Sequence, residues 1–191
     1  MAKLKAYTLV FKLIKNCSLV LALEMSIACI LAVKLGVQLA EISNLKSPVV
    51  SALWCTISTI IVMQATWQKS LEAGINRIIG SGFGSAIPAI FLSYFGTGTT
   101  TFVACIVTLV VLCSILNKID SLRLALLTMA VIYIVCKLNN GLNILDTSFS
   151  RFIESLLGIA ITMVVRSISI PLHTYVDSVI KTNLDYNIPT K

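Results

Sequence analysis

The sequence predicts an all-α, polytopic membrane protein, a bundle of six transmembrane helices, and three observations carry that prediction. Apolar residues make up 57% of the 191-residue chain and charged residues only 12%, with a mean hydropathy of +0.94. A soluble domain of this length carries roughly twice that charge. Apolar runs long enough to cross a bilayer recur at 17–40, 48–67, 77–95, 100–117, 122–138 and 152–171. Turn residues fill the brief connections, notably over 44–48, 96–100 and 139–148.

Residues 1–16 place Leu4, Tyr7, Phe11 and Ile14 at helical spacing, with lysines largely on other faces. That pattern fits an amphipathic segment on an anionic leaflet, or a plain cytosolic extension of the first span. Lysines before an apolar run also suggest a signal peptide. The run from Cys17 to Ala40 is too long for one, however, and is read as an uncleaved first span. The membrane domain is expected over 17–171, followed by a polar cytoplasmic tail over 172–191.

The formal charge of +7 would suggest nucleic acid in a soluble protein. Here the basic residues stand between apolar runs and act as topology signals, so no nucleic-acid partner is expected. With the N-terminus inside, Lys3, Lys5, Lys12, Lys15, Lys69, Arg77, Lys118, Arg123, Arg166, Lys181 and Lys191 fall on the cytoplasmic side. Lys34, Lys46, Lys137 and Arg151 fall on the other, eleven against four. The positive-inside rule then puts both termini in the cytoplasm.

The most informative stretch runs from Met63 to Arg77 and on through Ile78-Ile79-Gly80-Ser81-Gly82-Phe83-Gly84. It is expected to be a polar hinge leading into a glycine-rich third span. At 100° per residue Arg77, Gly80, Ser81, Gly84 and Pro88 share a narrow stripe. Small residues on a stripe allow another backbone to approach closely, and Pro88 predicts a kink or a freed carbonyl. Arg77 is either a snorkelling anchor or a guanidinium facing the interior, able to pair with a carboxylate. Gln64, Gln68 and Asn76 are candidate hydrogen-bonding partners for the same ligand, with Arg166 as a second cation.

The sixth span repeats the pattern. Arg151, Glu154, Ser155, Gly158, Thr162 and Ser169 share a stripe, and residues 151–162 match 77–88 at six of twelve positions, 74 residues apart. Gly80, Gly84, Arg151 and Gly158 are therefore the expected helix-packing positions. Because the third and sixth spans run in opposite directions, the match allows a 3+3 inverted repeat. Carboxylates inside a span are costly and mark function, which makes Glu24 and Glu154 the candidates for carrying a coupling proton.

Catalytic chemistry has little support. The chain carries no phosphate-binding loop and no zinc-protease motif, and His173 is a lone histidine near the tail. Cys17, Cys29, Cys55, Cys105, Cys113 and Cys136 form no CxxC pair and read as small core residues. Neither an enzyme, a metal nor a cofactor is expected.

The run from Met63 to Gly84, with its Gln, Ser-Leu-x-x-Gly and Asn-Arg-x-x-Gly elements, resembles the fusaric acid resistance and aromatic acid exporter superfamily. Arg151-x-x-Glu154-x-x-x-Gly158 resembles the final-helix signature of its membrane domain, and the likeness covers residues 17–170. Plant aluminium-activated malate channels look distantly similar. The resemblance implies a bacterial inner-membrane exporter of small organic, including aromatic, carboxylates, in some members with a periplasmic adaptor. It also implies that Gln64 and Arg77 lie near the permeation route. Ala65 stands where the family often has proline, and Gly80-Ser81 where it commonly has Gly-Thr. A cytoplasmic helical domain or second membrane half, present in many relatives, is not seen in these residues, so the unit is expected to act as a homodimer or higher homo-oligomer. A passive anion channel on the same fold and a non-transporting scaffold or subunit of a larger assembly are the alternative readings.

Overall fold

In a computed structural model of the chain, residues 19–43, 48–138 and 143–187 are described, with side chains over 21–43, 48–138 and 143–171. The N-terminal segment 1–16, Cys17 and the His173 side chain lie outside them. Six helices follow in order: α1 (Leu19–Ile42), α2 (Pro48–Val62), α3 (Trp67–Phe95), α4 (Thr99–Ile115), α5 (Ile119–Leu138) and α6 (Ile144–Asn187). No strand occurs among the described residues.

Four of these helices (α1, α3, α5 and α6) contain apolar stretches of 20–29 residues, enough by length and composition to cross a membrane. α2 and α4 are shorter, with 15 and 17 residues. At 1.5 Å per residue they span about 22 and 25 Å, somewhat less than a hydrocarbon core of ~30 Å. Apolar side chains such as Leu23, Ile27 and Ile30 on α1, and Val103, Val107 and Val111 on α4, lie exposed on the outer surface. In water that much apolar surface would be costly; against acyl chains it is neutral.

The stretch expected to be a hinge is mostly helix. Only 63–66 lie outside helices, and α3 begins at Trp67, ten residues earlier than the apolar run implied. Thr66 caps it, its hydroxyl accepting from the Lys69 backbone N–H. An interruption in hydropathy is not an interruption in helix, since Gln68, Lys69, Glu72 and Asn76 are all tolerated in a capped helix. At the other end α3 stops where Gly96 takes φ 70°, a backbone region that disfavours other residues. α3 passes through the buried Pro88 without breaking, and α6 passes through Pro171.

The packing repeats internally. Buried positions 28, 32, 36 and 40 of α1 recur at 101, 105, 109 and 113 of α4, a shift of 73. Positions 51, 55, 58, 59 and 62 of α2 recur at 121, 125, 128, 129 and 132 of α5, a shift of 70. On α3, positions 74, 80, 81, 84, 85, 87, 88 and 92 recur on α6 at 148, 154, 155, 158, 159, 161, 162 and 166, a shift of 74. The substantial helix pairings follow the same exchange: α1 on α2 answers α4 on α5, α2 on α6 answers α5 on α3, and α1 on α6 answers α4 on α3. Three helices joined by short links reverse direction between the halves, so the repeat is inverted. Each third helix packs into the other half. One apolar cluster joins Ala28, Ala32, Cys55, Met63, Ile161 and Val165, and the other joins Ile87, Leu92, Cys105, Leu109, Met129 and Ile132.

Glycines set the two cross-half contacts. A Cβ on Gly84 would strike the Ala125 carbonyl and stand 2.9 Å from both Ala125 Cα and Thr128 Cβ. Its counterpart Gly158 would strike the Cys55 carbonyl and stand 2.7 Å from Ser58 Cβ. Gly80 likewise meets α5, 2.7 Å from Leu124 Cβ. Both glycine stripes are therefore covered within one chain. Gly80, Gly84 and Gly158 thus pack against helices of the same chain, each close to backbone.

Candidate functional site

Polar and charged side chains buried among the helices occur at three levels. The middle level is Arg77. It lies ten residues into α3, about 15 Å along the axis from the helix start. The whole residue is 0% exposed. Its Nε and Nη2 donate to Ser58 Oγ on α2, at 3.3 and 3.2 Å. Nη1 is buried with no hydrogen-bond partner, and no carboxylate forms an ion pair with Arg77 among the described residues. A guanidinium always carries its charge and offers five donors in a fixed fork. Here two of the five reach one hydroxyl, and the pair on Nη1 reaches none.

Toward the end that holds the α2–α3 link, Glu24 of α1 and Arg166 of α6 form a buried ion pair. Arg166 also donates through Nη2 to the Ala65 carbonyl, tying three segments together. The structure thus engages Arg166, expected as a ligand for substrate, with Glu24.

Toward the opposite end, Arg151 Nη2 donates to Glu154 Oε1 at 2.8 Å, one turn along α6. The Arg151 guanidinium also stands 6.0 Å from the centre of the Trp54 ring, a cation–π distance. Glu154 is 0% exposed. Arg151 was expected to be a packing residue; it is a charged partner as well.

Between these levels α2 and α6 are joined through hydroxyls. Thr59 Oγ1 lies 3.2 Å from the Gly158 carbonyl oxygen, and Thr162 Oγ1 lies 3.3 Å from that of Thr59. Such interhelical bonds contribute on the order of 0.6 kcal/mol each within a membrane.

The remaining expected ligands lie elsewhere. Gln68 and Asn76 line a pocket of about 330 Å³ with Glu72, Asn117, Lys118 and Asp120, between the start of α3 and the α4–α5 link. Two carboxylates against one ammonium give this pocket a net negative character, which repels an anion. Asn76 Oδ1 accepts from the Ser121 hydroxyl there. Gln64 supports the link: its backbone N–H donates to Ser70 Oγ and its side-chain amide to the Ile61 carbonyl. Gln64, Gln68 and Asn76 make no hydrogen bond to Arg77. Sequence reading missed Ser58 and Trp54. Ser58 was detectable as a hydroxyl within a span, four residues before Val62 on the buried face.

Residues 35–165 match the family described as fusaric acid resistance protein-like. The chain belongs to that family. Neither a curated protein nor a solved structure gives a significant match. This member of the fusaric acid resistance protein-like family is a multi-pass helical membrane protein, and membership points to membrane transport as its general activity.

Proposed function

We propose that the protein carries small organic carboxylate anions, aromatic ones included, across a bacterial inner membrane, with Arg77 as the group that draws the anion in. The observation that carries this reading is the buried Arg77 guanidinium, whose Nη1 is unpartnered and which has no acidic partner among the described residues. A cation in that position is costly unless an anion joins it, and guanidinium geometry matches a carboxylate in a two-bond fork. The family's description, which refers to resistance to fusaric acid, supports an acid as cargo.

Carrier action is favoured over an open channel because Arg77 is fully buried. An anion reaches it only if helices separate, and the inverted repeat supplies two halves that can rock about a shared contact of α3 with α6. The eleven-to-four distribution of basic residues supports a cytoplasmic location for both termini. We also propose that the unit assembles as a homodimer or higher homo-oligomer, with a periplasmic adaptor as a further partner in cells.

Purified protein in liposomes tests the reading. Radiolabelled benzoate should accumulate against its gradient when a proton gradient is imposed, and Glu24→Gln or Glu154→Gln should reduce that accumulation. Flux that only follows benzoate's own gradient, in the wild type and both variants, would establish the channel instead. A protein that passes no benzoate and co-purifies with a stable partner would be a scaffold.

A further inference from the structure

A further guanidinium, its side chain 11% exposed, stands at the place related to Arg77 by the repeat. Arg151 lies 74 residues beyond Arg77, and the shift of 70 that relates α2 to α5 carries Ser58 onto Thr128. Arg77 rests on Ser58, and Arg151 borders a narrow space lined by Trp54, Thr128 and Ser155. The two sites differ in one residue above all. Where the first half has Gly80, pressed against α5, the second has Glu154, and that carboxylate is paired with Arg151.

We infer that Arg151 is a second carboxylate-binding site of the same class as Arg77, and that Glu154 is a carboxylate from the chain itself seated where a substrate carboxylate would otherwise bind. The inference rests on the reading of Arg77 as an anion site. The pairing is incomplete in the way an exchangeable partner requires. Only one hydrogen bond joins the two side chains, and Arg151 Nε and Nη1 are buried without partners, as is Glu154 Oε2. A free carboxylate, not tethered three residues along the same helix, can take up the two-bond fork that Glu154, with its single hydrogen bond, does not form here. The groups facing Glu154 are Arg151 on its own helix and Ser51 and Cys55 on α2. Among the described residues Arg151 is thus the cation that faces Glu154.

Benzoate titration of nanodisc-embedded protein by calorimetry tests this. Wild-type protein should bind one benzoate per chain, and Glu154→Gly, which copies Gly80, should bind two. Adding Arg151→Gln to Glu154→Gly should return the count to one, and adding Arg77→Gln should leave the Arg151 site alone, again one. A helical Glu154→Gly protein that gains no second benzoate overturns the inference, as does a second benzoate that survives Arg151→Gln. If wild type binds none and Glu154→Gly binds one that Arg151→Gln abolishes, Arg151 is upheld and the reading of Arg77 fails. Should Glu154→Gly fail to fold, thermal unfolding of Arg77→Gln/Glu154→Ala serves: acetate should raise its melting temperature and equimolar chloride should not, and equal effects overturn the inference.

Discussion

Glu24 and Arg166, 142 residues apart in the chain, meet as an ion pair between the first helix and the last. Their side chains are each 4% exposed. The Ala65 carbonyl, at the α2–α3 link, accepts from the same guanidinium. One end of the bundle is thus fastened by charge. The repeat places Leu92 where Arg166 stands, and Leu92 is 1% exposed in the apolar cluster of the other half. The two ends are built from one plan and closed by different chemistry.

Breaking the pair from one side should be costly. Removing one member of a buried ion pair costs roughly 3–5 kcal/mol, because the other charge is left uncompensated. Glu24→Gln should therefore lower thermal stability in nanodiscs well below that of the Glu24→Gln/Arg166→Gln double variant. A thermal unfolding series on the single and double variants reads this directly, and additive effects would show that the two residues are not coupled.

The glycine contacts predict strict size limits. Gly84→Val and Gly158→Val each drive a side chain into the facing backbone, at Ala125 and Cys55. Overpacking of this kind costs about 1–3 kcal/mol or more where backbone cannot yield. Gly82 offers the control, since a Cβ there meets only Phe152 Cε2, at 3.7 Å. Gly82→Ala should leave the yield of monodisperse protein unchanged, while both valine variants reduce it, as size-exclusion chromatography would measure.

Ser58 should matter through Arg77. Its hydroxyl receives two of the guanidinium's N–H groups, and a hydrogen bond to a charged group contributes about 1.5–3 kcal/mol. With Ser58→Ala the guanidinium loses its one orienting contact. Benzoate affinity should change by roughly tenfold or more, with helix content unaltered. Calorimetry on Ser58→Ala beside Thr59→Ala separates the effect from a general loosening of α2.

Much of this arrangement was legible in the sequence. Composition and run length indicate six helices, and the match of 77–88 with 151–162 carries the repeat, because buried small residues are constrained on every helix that touches them. The stripe from Arg77 to Pro88 faces inward as its spacing requires. The start of α3 was not legible from hydropathy, since polar residues such as Gln68 and Asn76 sit comfortably in a helix that begins at a Thr66 cap. The partners of the charges were hidden for another reason. Glu24 with Arg166, and Arg77 with Ser58, are meetings across helices, and nothing local in either segment encodes its partner.

An even number of spans makes a further demand. Reporter domains fused to either terminus should both be cytoplasmic in bacterial cells, as six crossings and the basic-residue count require. A reporter at the 96–98 link should be on the opposite side. Termini on opposite sides would mean that α2 or α4, the two short helices, does not cross.

The central claim is that a guanidinium buried in the bundle receives the carboxylate, and Arg77→Gln tests it most directly. In proteoliposomes with matched amounts of folded protein, benzoate flux should fall about tenfold or more, the factor that loss of a charge-assisted bond implies. Arg77→Lys, which keeps the charge and loses the fork, should retain part of it. Flux in Arg77→Gln equal to that of the wild type would contradict the account.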